Sequence, residues 1–405
     1  MGGGLLQLVA VGIQDIYLIG NPQITFFKTV FKKYTNFALE SIQQPIDGRT
    51  DFGQQIEITI QRKGDLIKDI ILDILLPILP IGYYWTNGIG NVLIKQVDLE
   101  IGGQLIDRHY SEWLDIWHQL TLTEGKIGAY NAMVGNFNST SSLRLNAQTN
   151  FRVQVPMCFW FNRNYNTALP LIALQYHDIV LKIKLRDFNS CYRNNTVSTL
   201  LSPSLYQMSQ FRVWVDYIHL DMEERRTFAK MNHEFIIEQL QFNGGDFISS
   251  NTSTISSKIT FNHPVKELFW IHINNNYEQV NINTGNQLLN YSIPNSVETF
   301  SEGILQLNGV DRFESRPANY FRLVQNYQYH SRYTRKNIYS YSFSLTPEKQ
   351  QPSGSCNMSK FTNINLYLNY SGINHSANDM NLKIYGINYN ILRIMNGMGG
   401  LAFSN

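Results

Sequence analysis

Apolar and polar residues alternate in many short segments along this chain. Ile56, Ile58 and Ile60 are separated by single polar residues. The same period of two occurs over 97–101, 151–155, 181–185, 211–217, 339–345 and 364–370. A period of two is typical of a strand that buries one face. The pattern therefore predicts an all-β protein with strands throughout the chain.

Helical spacing is confined to two short segments. Trp113, Trp117 and Leu120 are spaced to lie on one side of a helix, which we expect to cover a sheet edge or the end of a barrel. Asp221, followed by Glu224 three residues later, has the spacing of a capping box and predicts a helix over DMEERRTFAKMN. The second helix lies near the middle of the chain, and we interpret it as a connector between domains.

The two halves of the sequence carry similar landmarks in the same order. The matched pairs are Asp65 with Pro264, Gly102 with Asn308, Pro170 with Pro352, and Tyr217 with Tyr389. This order predicts two similar β-domains. Three stretches rich in Asn, Ser, Thr and Gly, at 124–150, 189–210 and 274–295, are predicted to be surface loops that tolerate insertions. Loops of this length suit a sandwich with long crossing connections, such as a jelly roll.

The amino-acid composition narrows the possible classes of protein. Of 405 residues, 43% are hydrophobic and only 16% are charged, which excludes a disordered chain or a coiled coil. The net charge of +2 makes nucleic acid a poor candidate partner. The first 25 residues are dense in apolar side chains with one charge, Asp15. They predict an arm that must be covered by the protein's own oligomer or by neighbouring components.

The sequence contains no recognisable catalytic, cofactor or metal motif. Its nine histidines form no HExxH pattern, and Cys158, Cys191 and Cys356 lack the spacing of zinc ligands or of a disulfide framework. We therefore expect no catalytic residues, no cofactor, no bound metal and no disulfide. Sequons in predicted loops give four candidate glycosylation sites. These are Asn138, Asn194, Asn251 and Asn290.

Several long blocks resemble the major capsid protein family of the nucleocytoplasmic large DNA viruses. The first block is QLVAVGIQDIYLIGNPQITFFKTVFKKYTNFALESI, and others are GDLIKDIILDILLP, FWFNRNYNTALPLIALQYHDI, HLDMEERRTFAKMNHEFIIEQLQ, LQLNGVDRFESRPANYF, QQPSGSCNMSKF and NYNILRIMNGMGGLAFSN. They occur in order from about residue 7 to the last residue. The resemblance implies two tandem eight-stranded antiparallel jelly rolls with a few short helices. We place an arm at 1–25, the rolls at 26–215 and 233–405, and a connector at 216–232.

The resemblance also implies a structural function without catalysis. A homotrimer would form a pseudo-hexagonal capsomer that tiles the facets of an icosahedral shell. Its partners would be neighbouring capsomers and, at the inner base, minor capsid and penton proteins. An internal membrane would lie near but would not be spanned, and nucleic acid would not be contacted directly. The protein would be made and assembled in the host cytoplasm and reside in the virion capsid.

Two alternatives remain open. One is a minor capsid paralogue or a scaffold-like relative of this family, and the other rests on the residues alone. A tandem jelly-roll protein could instead bind or cleave glycans, with exposed aromatic rings such as Trp85 or Trp160 stacking on sugars. An enzyme of this kind would need two facing carboxylates in a cleft. The sequence suggests no such pair.

Overall fold

The computed structural model describes residues 2–137, 139–194, 200–280, 285–294, 296–373 and 379–404. The chain divides into two units after Asn36. The first unit contains two helices, α1 (Gly3–Val9) and α2 (Ile13–Ile19), and has no buried residue in either helix. The second unit begins at Phe37 and is rich in strands. No helix among the described residues is both long and apolar enough to cross a bilayer.

Eleven described strands come from the first half of the second unit. They are β1 (Phe37–Gln43), β2 (Gln55–Thr59), β3 (Leu66–Leu75), β4 (Tyr83–Trp85), β5 (Ile94–Ile101), β6 (Gln104–Tyr110), β7 (Arg152–Pro156), β8 (Leu169–Pro170), β9 (Ile179–Leu185), β10 (Tyr192–Asn194) and β11 (Gln210–Leu220). Two antiparallel sheets hold nine of them, with β8 paired to β3 outside the main strand order. We call these sheet A, in the order β1-β11-β3-β7, and sheet B, in the order β2-β9-β5-β6.

The second half contributes eleven more described strands. They are β12 (His233–Ile248), β13 (Thr254–Lys258), β14 (Pro264–Asn274), β15 (Glu302–Leu307), β16 (Val310–Asp311), β17 (Arg316–Pro317), β18 (Tyr339–Ser342), β19 (Cys356–Asn357), β20 (Ile364–Asn369), β21 (Met380–Met395) and β22 (Met398–Leu401). They form sheet C, in the order β12-β21-β14-β18, and sheet D, in the order β13-β20-β15-β16.

The two halves have the same strand order. If the eight sandwich strands of each half are counted along the chain, sheets A and C both read 1-8-3-6, and sheets B and D both read 2-7-4-5. Eight antiparallel strands paired in this way form a jelly roll. The predicted duplication and the predicted fold class are therefore confirmed. The matched landmarks Gly102 and Asn308 occupy the equivalent β5–β6 and β15–β16 hairpins, where both adopt positive φ.

Eight further described helices connect the strands. They are α3 (Ile89–Leu93), α4 (Ser111–Thr121), α5 (Glu124–Val134), α6 (Thr140–Ala147), α7 (Trp160–Arg163), α8 (Met222–Lys230), α9 (Asn275–Glu278) and α10 (Gln325–Tyr329). A π-helical turn, Tyr320–Val324, leads directly into α10. The two helices predicted from spacing are α4 and α8. Asp221 is the N-cap of α8, and its carboxylate accepts a hydrogen bond from Met222 N at 2.7 Å.

The connector region follows the first roll without a break in regular structure. β11 continues to Leu220, α8 follows at once, and β12 begins at His233. Arg225 on α8 lies 2.9 Å from the Asp65 carboxylate, and Leu220 N donates to the same carboxylate at 2.9 Å. These bonds hold the connector helix against the first roll.

The stretch 124–150 was expected to be a surface loop, and this prediction is wrong. It folds into α5 and α6, which bury Ile127, Tyr130 and Val134 along one side of α5. Gly125 and Gly128 weaken the intrinsic helix propensity of α5. Packing of its apolar face supplies the missing stability, since Tyr130 is buried and hydrogen-bonded to Asn91 at 2.8 Å.

The stretches 189–210 and 274–295 are also less exposed than predicted. Asn286 is buried, and its amide donates to Asn189 O and Tyr192 O, both at 2.7 Å. Leu289 and Tyr291 are buried as well. The two stretches therefore bind one another and bury apolar side chains. The prediction of a surface loop is wrong for 285–291, whereas 200–209 is exposed or half-buried, as predicted.

The strand predicted over 339–345 is shorter in the structure. β18 ends at Ser342, whose hydroxyl donates to Ser344 O at 2.8 Å. Such local hydrogen bonds compete with strand pairing and turn the chain. Leu345 is consequently 76% exposed instead of facing a core.

Candidate functional site: the junction between the two rolls

Sheet C is buried on both faces because it lies between two apolar layers. Leu268 and Trp270 of β14 enter the core of the second roll, whereas Phe269 and Ile271 belong to the core that continues into the first roll. All residues of β14 after Pro264 are buried. This second layer, which we call the junction, consists of the outer face of sheet C and the parts of the first roll that pack on it.

Helix α4 supplies the centre of the junction from the first roll. The Trp113 ring lies 5.4 Å from that of Phe269 and 6.2 Å from that of Tyr385, between centroids. Every residue from Ser111 to Leu120 is buried. The helix was predicted to cover a sheet edge or a barrel end; instead it packs between the two rolls.

Buried carboxylates on α4 pair with cations of the second roll. Lys383 Nζ lies 2.8 Å from Glu112 and 3.0 Å from Glu278. Burial by itself would raise the pKa of Glu112, but the charges of Lys383 and Arg186 outweigh it and lower that pKa to about 2. Glu112 is therefore ionised at neutral pH, and the two rolls are joined by a buried ion pair.

A second group of ions crosses the junction from α7. Arg163 lies 2.8 Å from Glu238 of β12, and Glu238 also accepts a hydrogen bond from Lys266, whose side chain is fully buried. Lys266 Nζ donates to Pro347 O at 2.7 Å. Removing one member of a buried pair leaves an uncompensated charge, so loss of any member of this group should destabilise the packing of the two rolls.

His330 sits between two carboxylates of the second roll. Its Nε2 lies 2.8 Å from Glu267 Oε1, and its Nδ1 lies 3.1 Å from Glu348 Oε1. Both ring nitrogens must donate, which only the imidazolium can do. Burial lowers the pKa of His330, but the two carboxylates outweigh burial and raise it to about 9.

Three side chains near the junction resemble the parts of a cysteine nucleophile site. Cys158 Sγ lies 3.6 Å from His109 Nδ1, and His109 Nε2 lies 2.9 Å from Asp107. All three are buried, and Asp107 also accepts a hydrogen bond from Leu240 N of the second roll at 3.0 Å. A substrate has no access to this sulfur, so the group acts in packing. The alternation of Asp107 and His109 on β6 was its only sequence signal.

Comparison with known proteins follows the same division into two halves. Residues 25–221 match the family model described as the major capsid protein N-terminus, and residues 224–400 match that of the large eukaryotic DNA virus major capsid protein. The chain is 42% identical to the major capsid protein of Pyramimonas orientalis virus, with both chains covered completely. It is 40% identical to that of Paramecium bursaria Chlorella virus 1, again over both full lengths.

This chain belongs to the major capsid protein family of large eukaryotic DNA viruses. A solved structure of the PBCV-1 virus capsid matches with a TM-score of 0.79 and 36% identity, over 94% of this chain and 100% of the other. The Faustovirus major capsid protein shares the fold at 12% identity, with a TM-score of 0.76. The capsid protein is a structural component of the virion and not an enzyme, as the resemblance implied.

The aromatic rings named for sugar binding are not available. Trp85 is 1% exposed and Trp160 is 3% exposed, so the expectation of exposed rings at these positions is wrong. Phe52 stacks on the Trp85 ring at 6.0 Å, and Phe188 packs edge-on at 6.2 Å. Both tryptophans are core residues of the capsid protein.

The candidate glycosylation sites differ in accessibility. Asn251 is exposed, whereas Asn194 and Asn290 are half-buried, and Asn138 lies outside the described residues. The side-chain oxygen of Asn290 accepts a hydrogen bond from the hydroxyl of Ser292 at 2.7 Å. Among the described residues, no group of His, Cys, Asp or Glu is arranged to hold a metal ion. Cys158 and Cys191 are buried free thiols, and Cys356 is a half-buried one.

The segment before β1 presents apolar side chains to solvent. Ile13, Tyr17 and Leu18 of α2 are each more than four-fifths exposed, as are the aromatic rings of Phe26 and Phe27. A capsid protein with so much exposed apolar surface has a strong tendency to associate.

Proposed function

We propose that this capsid protein forms a homotrimer whose six jelly rolls make a pseudo-hexagonal capsomer that tiles the facets of an icosahedral shell. The observation that carries the proposal is full-length similarity to proteins of assembled virus capsids, one of them solved as a PBCV-1 capsid. The duplication supports it, since three chains with two equivalent rolls each supply six similar walls.

Sandwich architecture suits a tile for physical reasons. Antiparallel sheets packed face to face are stiff, and the ion pairs of the junction orient the two rolls specifically. The buried pairs Glu112–Lys383 and Arg163–Glu238 join residues of different rolls. A rigid two-roll unit can transmit lateral contacts across a facet without bending at its centre.

We further propose that the predicted arm, residues 1–25, connects the capsomer to other capsid components at its inner base. Its exposed apolar side chains would then be covered by neighbouring capsomers, minor capsid proteins or penton proteins. We also propose that the remaining chain is divided into rolls at 26–215 and 233–405 and a connector at 216–232. Synthesis and assembly take place in the host cytoplasm, near an internal membrane that the chain does not span and without direct contact to nucleic acid. If glycans are attached, the exposed Asn251 is the preferred site.

Light scattering of the purified chain tests the trimer. We expect a mass of three times 46.8 kDa at micromolar concentration. A monomer under these conditions would contradict the proposal, and so would an even-numbered assembly, because neither supplies six walls in one closed ring.

Deleting residues 2–20 tests the arm. We expect the truncated chain to fold and to keep its oligomeric mass, but not to enter particles when co-expressed with its partners. A full-length control with Leu8, Ile13 and Leu18 changed to serine separates the loss of apolar surface from the loss of length. Loss of folding would place the segment in the first core, and normal particles would show that it does not direct assembly.

A further inference from the structure

The two rolls of one chain pack against each other through two different surfaces. The first roll presents α4, the helix between its fifth and sixth sandwich strands, and the second roll presents the outer face of sheet C. Across that face Phe242, Tyr385 and Phe269 stand side by side on β12, β21 and β14. Trp113 of α4 packs against the last two rings.

Because the fold is duplicated, each of these surfaces has an equivalent in the other roll. The outer face of sheet A is equivalent to that of sheet C, since both sheets have the same strand order. There Trp214 of β11 lies beside Ile71 of β3, and Leu39 of β1 lies on the same face. Trp214 and Ile71 are half-buried, and Leu39 is 57% exposed. Among the described residues from Phe37 onward, nothing covers this face as α4 covers sheet C.

The helix equivalent to α4 is buried on one side and uncovered on the other. The π-helical turn and α10 together span Tyr320–Tyr329, between β17 and the sixth sandwich strand β18 of the second roll. Val324 and Tyr327 are three positions apart, so they share one side of this helix. Val324 is 40% exposed and Tyr327 is 86% exposed, whereas the corresponding helix of the first roll is buried almost throughout.

We infer that the helix Tyr320–Tyr329 of one chain packs on the outer face of sheet A of a second copy, repeating between chains the contact that α4 makes with sheet C within a chain. This inference rests on the proposed homotrimer and names its contact surfaces. The binding partner is a second copy of this chain, because each chain carries both uncovered surfaces, the helix Tyr320–Tyr329 and the outer face of sheet A. The equivalent surfaces, α4 and the outer face of sheet C, already pack against each other in the junction. A contact between two different surfaces is heterologous, and three such contacts can close a ring.

The outer face of sheet A is polar enough for a surface that forms its contact between chains only after each chain has folded. It carries the ion pair Arg152–Asp73, at 2.7 Å, beside the apolar pair Trp214 and Ile71. The equivalent face of sheet C carries the rings of Phe242, Tyr385 and Phe269, and its charged groups are largely buried in ion pairs such as Lys383–Glu112, whereas Arg152 of sheet A is 45% exposed. Surfaces between subunits are more polar than domain cores, because each subunit must remain soluble before it associates.

Cross-linking between two differently tagged chains tests the contact. One chain carries Trp214→Cys and the other Tyr327→Cys, both in a Cys356→Ser background, and the co-expressed oligomer is treated with a short bismaleimide. We expect a covalent pair that contains both tags, and no cross-link when either variant is expressed alone. A chain with both changes should give a covalent ring of three.

Control and charge variants make each result decisive. Leu205→Cys, at an exposed position in a helical turn of the first roll, replaces Trp214→Cys and should give no cross-link with Tyr327→Cys. Ile71→Glu and Val324→Glu should each shift the solution mass from three chains to one with little change in melting, whereas Leu205→Glu should keep the oligomer.

The two proposals fail in different ways. A trimer without the mixed cross-link, whose mass also survives both glutamate variants, overturns the assigned surfaces and leaves the trimer standing. Trp214→Cys that cross-links to itself shows a two-fold contact and overturns the heterologous arrangement. A wild-type monomer overturns both proposals.

Discussion

The first and second rolls share one strand order but place their outer sheets in different environments. Sheet C is covered on both faces, and β14 is buried along almost its whole length. In sheet A the equivalent strand, β3, is less buried. Ile67, Ile70, Leu72 and Ile74 belong to the core of its own roll, whereas Lys68, Asp69, Ile71 and Leu75 are half-buried. The same fold therefore has a sheet inside the chain in one copy and at its surface in the other.

This difference shows which surfaces the packing of the two rolls leaves uncovered. The packing uses α4 and the outer face of sheet C. Among the described residues from Phe37 onward, one side of the equivalent helix and the outer face of sheet A stay uncovered. The side chains have diverged accordingly. Lys383 and Glu112 form a buried ion pair in the junction, whereas Arg152 of sheet A pairs with Asp73 while remaining about half exposed.

The largest expected effect comes from Trp113→Ala. Removing a buried tryptophan costs about 3–5 kcal/mol of unfolding free energy. Because Trp113 contacts Phe269 and Tyr385, we expect faster hydrogen exchange in both α4 and sheet C. The matched control is Trp270→Ala, which removes an equally buried ring from the core of the second roll alone.

Hydrogen exchange followed by mass spectrometry distinguishes the two tryptophan variants. Trp270→Ala should accelerate exchange in sheets C and D and leave sheet B unchanged. Equal acceleration of sheet B in both variants would show that the rolls unfold as one unit and that the junction has no separate role.

His330→Gln should have the next largest effect, about 3 kcal/mol at neutral pH, because it leaves Glu267 and Glu348 without their buried cation. The folded-state pKa of about 9 exceeds the ordinary 6.5. The stabilisation by His330 is therefore complete below about pH 6.5 and is lost as pH rises through 9. Chemical denaturation between pH 6 and 10 should show a shallower alkaline decline in the variant.

A second buried histidine and a control variant bear on this pH measurement. In the first roll, burial lowers the pKa of His109 but Asp107 and Cys158 outweigh it, raising it to about 9, so part of the alkaline decline will survive in His330→Gln. The control His219→Gln breaks an exposed pair with Glu40, which is worth at most about 1 kcal/mol. An unchanged pH profile in His330→Gln would contradict the inferred imidazolium.

The smallest expected effect concerns equivalent hairpins of the two rolls. Gly102 and Gly103 both have positive φ, which costs a residue with a Cβ about 1–2 kcal/mol. A Cβ on Gly102 would also meet the His177 ring at 2.3 Å, whereas one on Gly103 meets nothing. We expect thermal melting to show Gly102→Ala as the more destabilising variant, with Gly103→Ala as its control.

The second-roll hairpin should respond differently. Asn308 adopts positive φ, and its side-chain oxygen accepts hydrogen bonds from Thr362 N at 2.9 Å and Asn363 N at 3.0 Å. Asn308→Gly keeps the backbone conformation but loses both bonds, and we expect it to cost about 1 kcal/mol. A larger loss than in Gly102→Ala would show that side-chain bonding, not backbone strain, dominates these turns.

Local patterns in the sequence predicted the strands and the fold. Alternation identified β2, β5, β7, β9, β11 and β20, and helical spacing identified α4. The wrong predictions arose where the local composition favours a loop but tertiary packing stabilises a helix. Gly125 and Gly128 concealed α5, although Ile127, Tyr130 and Val134 have helical spacing. Ordered landmarks revealed the duplication because turns such as Gly102 and Asn308 have local backbone requirements.

The junction could not be predicted in the same way. Glu112 and Lys383 are 271 positions apart, and Arg163 and Glu238 are 75 apart. No periodicity links such residues, since their pairing is created by the packing of one roll on the other. The sequence placed α4 at the edge of a sheet because it cannot show that the second roll lies beyond it.

Electron cryomicroscopy of the purified oligomer would show which surfaces of the rolls are in contact. We expect a closed ring of six rolls in which two contacts alternate. One is the junction of α4 with sheet C inside each chain, and the other is the helix Tyr320–Tyr329 of each chain on sheet A of the next. A ring in which Trp214 and Tyr327 both remain exposed to solvent, or in which sheet A faces its own copy, would contradict this expectation.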